Sequence, residues 1–360
     1  MKIVFAVLLS ACTGIAAAQT SSTVDDIVGA HITALGGAGK IHAIHSFVLH
    51  GTYHEGDLNT KTTVTQMRPF YRVIGNMAEP LKHLHEGYDG SSWEYYPDPG
   101  IVVRTVGAAA ATTRHSALFD DALVDYRERG TTIVPDGATD FAGGRAYLLH
   151  VTLADGFRED IFVDVKTYMI AGYVRIVPFH AFGTRYTTHM EMSDYRPEGA
   201  VMMPHRSREV DSATGKVFDE GTVETVDINP DLPLAIFSPP VWQRTPLQQM
   251  IQRIYDERSD TSAVLQTYRD FRPLIPPGTS TADAVDFVGY QCLKMGDNET
   301  AVTLLKQNVA DNPQSARAHF GLGRALKTQG RAADANAEFD RALAINPNFI
   351  QARTARDALQ

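Results

Sequence analysis

The stretches ADAVDFVGYQCLKMGDNETAVTLLKQNVADNPQS (282–315) and ARAHFGLGRALKTQGRAADANAEFDRALAINPNF (316–349) follow one another near the end of the chain, and their landmarks coincide at an offset of 34 residues. Gly289 falls on Gly323, Gly296 on Gly330, Ala301 on Ala335, Leu305 on Phe339 and Pro313 on Pro347. Each landmark has a task in a pair of packed helices. Gly289 and Gly323 allow a partner helix to cross closely. Gly296 and Gly330 tolerate the left-handed turn between two helices. Ala301 and Ala335 are small contact points beside the large knobs Leu305 and Phe339. Pro313 and Pro347 lack an N–H and stop the second helix of each pair. Coincidence at one spacing predicts two copies of one helical hairpin rather than two unrelated hairpins.

The spacing is that of a tetratricopeptide unit, and 282–349 resembles two such repeats. Val285 and His319 stand where that family often has tryptophan, and Asn308 replaces a late alanine. Residues 350–360 read as a terminal capping helix. Two units are fewer than a stable solenoid needs, so 241–281 is expected to be a helical connector, a degenerate repeat docked on the array. Its helices are predicted near Leu247–Arg258, with Met250, Ile251, Ile254 and Tyr255 on one side, and Ala263–Phe271, with Val264, Leu265 and Tyr268. The family's concave surface comes from the first helices, which points to Asp283, Asp286, Tyr290, Lys294, Arg317, Phe320, Arg324 and Lys327. Of these, Tyr290, Lys294, Phe320, Arg324 and Lys327 are the candidate groove for a protein partner. The lysine–asparagine pairing of a carboxylate-tail clamp is missing, so no peptide terminus is assigned as ligand. The alternative is an array that only packs on the rest of its own chain.

Outward from the repeats, the 360-residue chain carries a net charge of −9. Residues 282–360 hold nine basic and nine acidic side chains, so the excess acid lies in 1–281, with 24 against 33. An acidic region without a basic block argues against nucleic acid and against electrostatic docking on anionic lipid. Lys2, the apolar run Ile3–Leu9 and Ala16-Ala17-Ala18 read as a signal peptide over 1–18 with a mature start at Gln19, hence a periplasmic or secreted protein. The alternative is a lipid anchor at Cys12, because Leu9-Ser10-Ala11-Cys12 resembles a bacterial lipobox. The run is too short for a lone transmembrane helix, and no later segment could span a bilayer as one. Cys292 then stands alone on a packing position and reads as a buried thiol, with no disulfide framework or cysteine metal site.

Between these ends, Thr23–Leu35 is predicted as an amphipathic helix with Val24, Ile27, Val28, His31, Ile32 and Leu35 on one side. Thr23 and Asp26 form a capping box, and Gly36-Gly37 ends the helix. From Ser46 to Ile228 the texture is β. Twelve strands are expected: Phe47–His54, Lys61–Met67, Tyr71–Asn76, His83–Tyr88, Trp93–Tyr96, Ile101–Thr105, Arg145–Leu153, Phe157–Val165, Met169–Val177, Arg185–Tyr195, Val201–Val210 and Val217–Ile228. Asp155-Gly156 lies between two alternating runs and predicts a hairpin. Ala108–Val124 is read as a helical interruption over the sheet. Five prolines in 230–246 close the β-rich part. Short connections favour one large antiparallel sheet.

A helix followed by such strands, with Leu35-Gly36-Gly37, Gly51, Tyr88-Asp89-Gly90-Ser91-Ser92-Trp93, Ser193-Asp194-Tyr195-Arg196, Gly199 and Pro204, resembles the superfamily of the periplasmic lipoprotein carriers LolA and LolB. The resemblance covers about Val24–Pro240, within a β domain set at 22–240. It implies an α+β fold, an incomplete barrel wrapped around helices, with an apolar cavity for acyl chains. No binding residue is carried over from the family. The residues themselves offer Tyr186, Met190 and Met192, a soft apolar stripe that lines a cavity or belongs to plain core.

Reactive motifs are sparse. His83-Leu84-His85 could present two imidazoles on one strand face, half a metal site. His85-Glu86 and His54-Glu55 begin like a zinc-protease motif, but Asp89 and Leu58 stand where the second histidine belongs. No G-x-S-x-G, P-loop or dinucleotide glycine pattern occurs. Asp160 and Asp164 alternate with Arg158 and read as a solvated face. No catalytic, metal or cofactor site is assigned. The expectation is an exported envelope protein holding an apolar ligand, with lipid or lipoprotein acyl chains as candidates, and a protein partner. The alternatives are an envelope hydrolase or metal-dependent enzyme using His83, His85 or His205, and a purely structural scaffold.

Overall fold

Thr23 opens the first helix: its Oγ1 accepts from Asp26 N (3.2 Å) and Asp26 Oδ2 accepts from Thr23 N (3.0 Å). This helix, α1 (Val24–Leu35), buries Ile27, Val28 and His31 and ends at Gly36, φ 124°. A Cβ at Gly36 would stand 2.5 Å from the Ala200 carbonyl oxygen, so the glycine fits the helix end against the sheet. A short α2 (Ala38–His42) follows. The structure is a computed structural model describing residues 23–55, 58–69, 71–76, 85–105, 107–178 and 185–359. The expected signal peptide, Cys12 and His83 lie outside the described residues.

The strands are β1 (Ser46–Glu55), β2 (Leu58–Met67), β3 (Tyr71–Asn76), β4 (His85–Tyr88), β5 (Ser92–Tyr96), β6 (Ile101–Arg104), β7 (Thr132–Phe141), β8 (Gly144–Thr152), β9 (Arg158–Asp164), β10 (Ile170–Pro178), β11 (Arg185–Glu198), β12 (Val201–Asp211) and β13 (Val217–Ile228). They form one open antiparallel sheet of 13 strands, ordered β6-β5-β4-β3-β2-β1-β13-β12-β11-β10-β9-β8-β7. The chain enters at the middle, winds out to β6, crosses to the far edge at β7 and winds back to lie beside β1. The crossing carries α3 (Gly107–Ser116) and then turns as far as Gly130, so the helix predicted over Ala108–Val124 is shorter than expected. Strand β7 is absent from the expected set. Its sequence is polar, Pro135 and Gly137 interrupt it, and its pairing with β8 is irregular between Pro135 and Ala138. The Asp155-Gly156 turn does join paired strands, with Leu149 opposite Ile161.

Ile27 and Val28 of α1 pack on Leu149, Val151, Ile161 and Val163, the inward positions of β8 and β9. At the other end Trp93 is buried, and its Nε1 donates to the Phe237 carbonyl (2.8 Å), which ties the proline-rich segment to the sheet. The helices that follow are α4 (Pro246–Asp256) and α5 (Thr261–Phe271), then α6 (Ala282–Met295), α7 (Asn298–Asp311), α8 (Ala316–Thr328), α9 (Ala332–Ile345) and α10 (Ile350–Asp357). A Cβ at Gly289 would lie 2.7 Å from Leu305, and one at Gly323 2.5 Å from Phe339, so each glycine receives the large knob of its own repeat. Gly296 and Gly330 take φ 89° and 75° in the turns.

The departures from the repeat pattern have local reasons. Val285 is buried against α4 and α5 in a cluster with Met250, Ile254, Val264 and Tyr268. His319 contacts Glu338 Oε2 (2.6 Å) and the Pro313 carbonyl (3.1 Å). Asn308 is fully buried and donates to the Ala282 carbonyl (3.0 Å), fastening α7 to the start of α6. The Val285 cluster also contains Ile101 and Val103 of β6, so sheet, connector and first repeat share one apolar core. Gln252 of α4 completes the join: its Oε1 accepts from Val102 N (2.7 Å) and its Nε2 donates to the Val102 carbonyl (2.8 Å).

Candidate functional site

Alternation along the strands sends one set of side chains to the face covered by α1, α2 and the segment 115–124. There they line a partly open cavity of about 510 Å³. Its body is apolar: Leu35, Ile41, Ile44, Phe47, Leu49, Val64, Leu118, Phe119, Ile170, Val201, Met202 and Met203 line it. Met190 and Met192 of β11 line it as well. Tyr186 lies on the same strand, paired with Val177. The volume falls within the roughly 300–1,000 Å³ of small-molecule sites. Methionine adapts to chains of variable shape because its side chain is unbranched and flexible.

Polar side chains are confined to parts of the wall. His31 meets the Tyr168 carbonyl through Nδ1 (2.7 Å) and Asp121 Oδ2 through Nε2 (3.2 Å), so both ring nitrogens are engaged. Burial alone would lower the His31 pKa, but the charge and hydrogen bond of Asp121 outweigh it and the net shift is upward. Burial pushes the Asp121 carboxyl up, and His31 with the Leu123 and Val124 N–H groups brings it below its ordinary value. His115 stacks on Phe157 with ring centroids 4.0 Å apart. Its Nε2 is 3.2 Å from Asp155 Oδ2 but outside hydrogen-bond geometry, and among the described residues neither ring nitrogen has a hydrogen-bond partner. Burial, with Arg114 and Arg175 nearby, pushes His115 down to about 4.

Arg72, Arg175 and Glu159 complete this wall. Arg72 pairs with Glu86 (3.2 Å). Burial lowers its pKa against that pairing, and Arg175 adds a like charge. Burial raises the Glu159 carboxyl, opposed by Arg175. Sequence reasoning missed these residues, although parity held the signal. Glu159 shares its strand face with Phe157, Ile161 and Val163, and Arg175 shares its own with Tyr173. A charge that breaks an apolar alternation marks a polar group turned inward.

Of the histidines proposed for chemistry, His205 is the one whose side chain is described. His205 is buried, with Nε2 on Glu198 Oε1 (2.8 Å) and Nδ1 on the Met203 carbonyl (3.1 Å). Among the described residues no group of three or more histidine, cysteine, aspartate or glutamate side chains could hold a metal ion. Asp160 instead meets His150 Nδ1 (2.7 Å), and Asp164 accepts from the Lys166 and Thr167 N–H groups in a turn. Cys292 is buried, which pushes its thiol up to about 12 and leaves no thiolate near neutral pH.

On the repeats, Asp286 is 1% exposed and receives Arg317 (2.6 Å) and Arg324 (2.7 Å). The Arg324 guanidinium lies 4.4 Å from the Tyr290 ring centroid and 4.7 Å from that of Phe320, and Lys294 sits 5.3 Å from Tyr290. Tyr290, Lys294 and Arg324 are therefore neighbours, while Lys327 is exposed one turn further along α8. Phe320 is buried and packs on Phe349, 4.9 Å between centroids, so it supports this face from beneath.

A tetratricopeptide repeat family model matches residues 293–348. Solved structures similar to the sheet-bearing part include a DUF1329 family protein from Desulfovibrio piger, at 14% identity and TM-score 0.42, covering 61% of this chain and 98% of that one. A LolA superfamily protein from Nitrosomonas europaea is similar at 13% identity and TM-score 0.38, over 54% of this chain and 90% of that one. An O-GlcNAc transferase from Thermobaculum terrenum is similar at 21% identity and TM-score 0.24, over 33% of this chain and 23% of the transferase. No curated protein matches the chain. No helix among the described residues is long and apolar enough to cross a membrane.

Proposed function

We propose that this is an exported bacterial envelope protein that holds an apolar ligand, a lipid or an acyl chain, in the sheet cavity and engages a protein partner through its repeats. The cavity carries the reading: about 510 Å³ of space is lined chiefly by leucine, isoleucine, valine, phenylalanine and methionine, with the charged groups grouped on parts of the wall. An apolar pocket with a few convergent polar groups suits a ligand that is mostly hydrocarbon. The matched repeats, and the cationic and aromatic face at Tyr290, Lys294, Arg324 and Lys327, support the second half. Export is supported by the leader-like sequence of residues 1–18.

Native mass spectrometry of the full protein exported from a bacterial host tests this directly. The expected result is a chain starting at Gln19 with releasable adducts of lipid mass. An acylated start at Cys12 would place the same protein on a membrane. A bare chain, still bare after incubation with lipid extract, would overturn the ligand reading.

A further inference from the structure

Two guanidinium groups, Arg72 on β3 and Arg175 on β10, line the same cavity. Arg72 has a counter-ion in Glu86. Arg175 is different: among the described residues no hydrogen bond or ion pair holds it. Glu159 is one step along the β9–β10 ladder from the Val174–Asp160 pair, hence opposite Arg175, and still forms no ion pair with it. His115, neither of whose ring nitrogens has a hydrogen-bond partner among the described residues, lines the cavity too. A cation without a partner in a partly dry site is costly, and a planar guanidinium is suited to a bidentate oxyanion.

The rest of the lining is chiefly apolar and suits the hydrocarbon part of a ligand. We infer that the ligand is an amphiphile with an anionic head, carboxylate or phosphate, held by Arg175 while its hydrocarbon lies along Met190, Met192 and Phe119. This rests on the apolar-ligand reading above and names its chemical class. Glu159, opposite Arg175 across the ladder, is a charge with which the ligand head competes.

The test is equilibrium binding of tetradecanoate, tetradecyl phosphate and tetradecanol to the delipidated full-length protein by titration calorimetry. The anions are expected to bind roughly ten-fold or more tightly than the alcohol, the size of one charge-assisted hydrogen bond. Whichever anion is tighter identifies the head. Arg175→Gln should bring the anions to the level of the alcohol and leave the alcohol unchanged, which also shows that the variant is folded. Arg175→Lys should restore part of the preference, and Glu159→Gln should strengthen anion binding. Equal binding of all three, unaltered in Arg175→Gln, would overturn the head-group inference and leave the apolar cavity standing. No binding of any of the three would overturn both.

Discussion

Asp121 is placed where one carboxylate does two things: it meets His31, and its other oxygen accepts the Leu123 and Val124 N–H groups at 2.8 and 3.3 Å. The pH dependence follows from the signs. The folded pKa of His31 is raised above its ordinary 6.5, so its contribution is full below 6.5 and is lost as pH rises through the folded value. The folded pKa of Asp121 is depressed below 3.8, so its contribution is present above 3.8 and is lost as pH falls through the folded value. Asp121→Ala is expected to cost about 3 kcal/mol near pH 6, the usual penalty for removing one partner of a buried pair. It should also flatten the decline of stability above pH 6.5 expected of the unaltered protein. Urea unfolding at several pH values checks both. At this scale the sequence was half legible. His31 was readable as a buried position of α1, and Met190 and Met192 as an apolar stripe. Asp121 was not, because nothing local says that a residue 90 positions from His31 will meet it.

Gln252 acts as a substitute strand. Its amide exchanges two hydrogen bonds with Val102, as the next strand would, and so satisfies part of the edge of β6. Gln252→Ala leaves a half-buried N–H and carbonyl to find water, at a cost of roughly 1–3 kcal/mol. The expected signature is faster hydrogen exchange at the Val102 amide and at its neighbours in β6, with exchange in β1 and β13 unchanged. Most elements were legible because they carry their own signals: the Thr23 capping box, the alternating runs about Asp155-Gly156, and the repeat glycines facing Leu305 and Phe339. Strand β7 carried none. Thr132–Phe141 has no apolar alternation, and it is a strand because β8 supplies a ladder, not because its own residues prefer one.

Across the whole molecule, the sheet and the array are joined by apolar packing as well as by chain. Ile254 is fully buried in the core that holds Ile101 and Val103 on one side and Val285 and Val288 on the other. Ile254→Ala should cost about 2–5 kcal/mol by transfer and cavity terms. Because the core is common to both parts, strand and helix signals in circular dichroism should still shift together; independent transitions would show that the parts unfold separately. Antiparallel order and the C-terminal repeats could be read in advance, since hairpins and a fixed period are local. The strand order could not, because the jump from β6 to β7 is a long-range choice made by packing α1 and 115–124 inside the sheet.

The open sheet has two ends, and only one carries α4. Val102 is occupied by Gln252, so a stray strand from a neighbouring molecule has little to add to there. Among the described residues the other end is β7, where Pro135 lacks a donor, Gly137 lies in an irregular stretch and Asp136 and Asp140 bring negative charge. Fibril growth by edge-to-edge stacking would therefore have to start at β7, whose own sequence makes it a poor template.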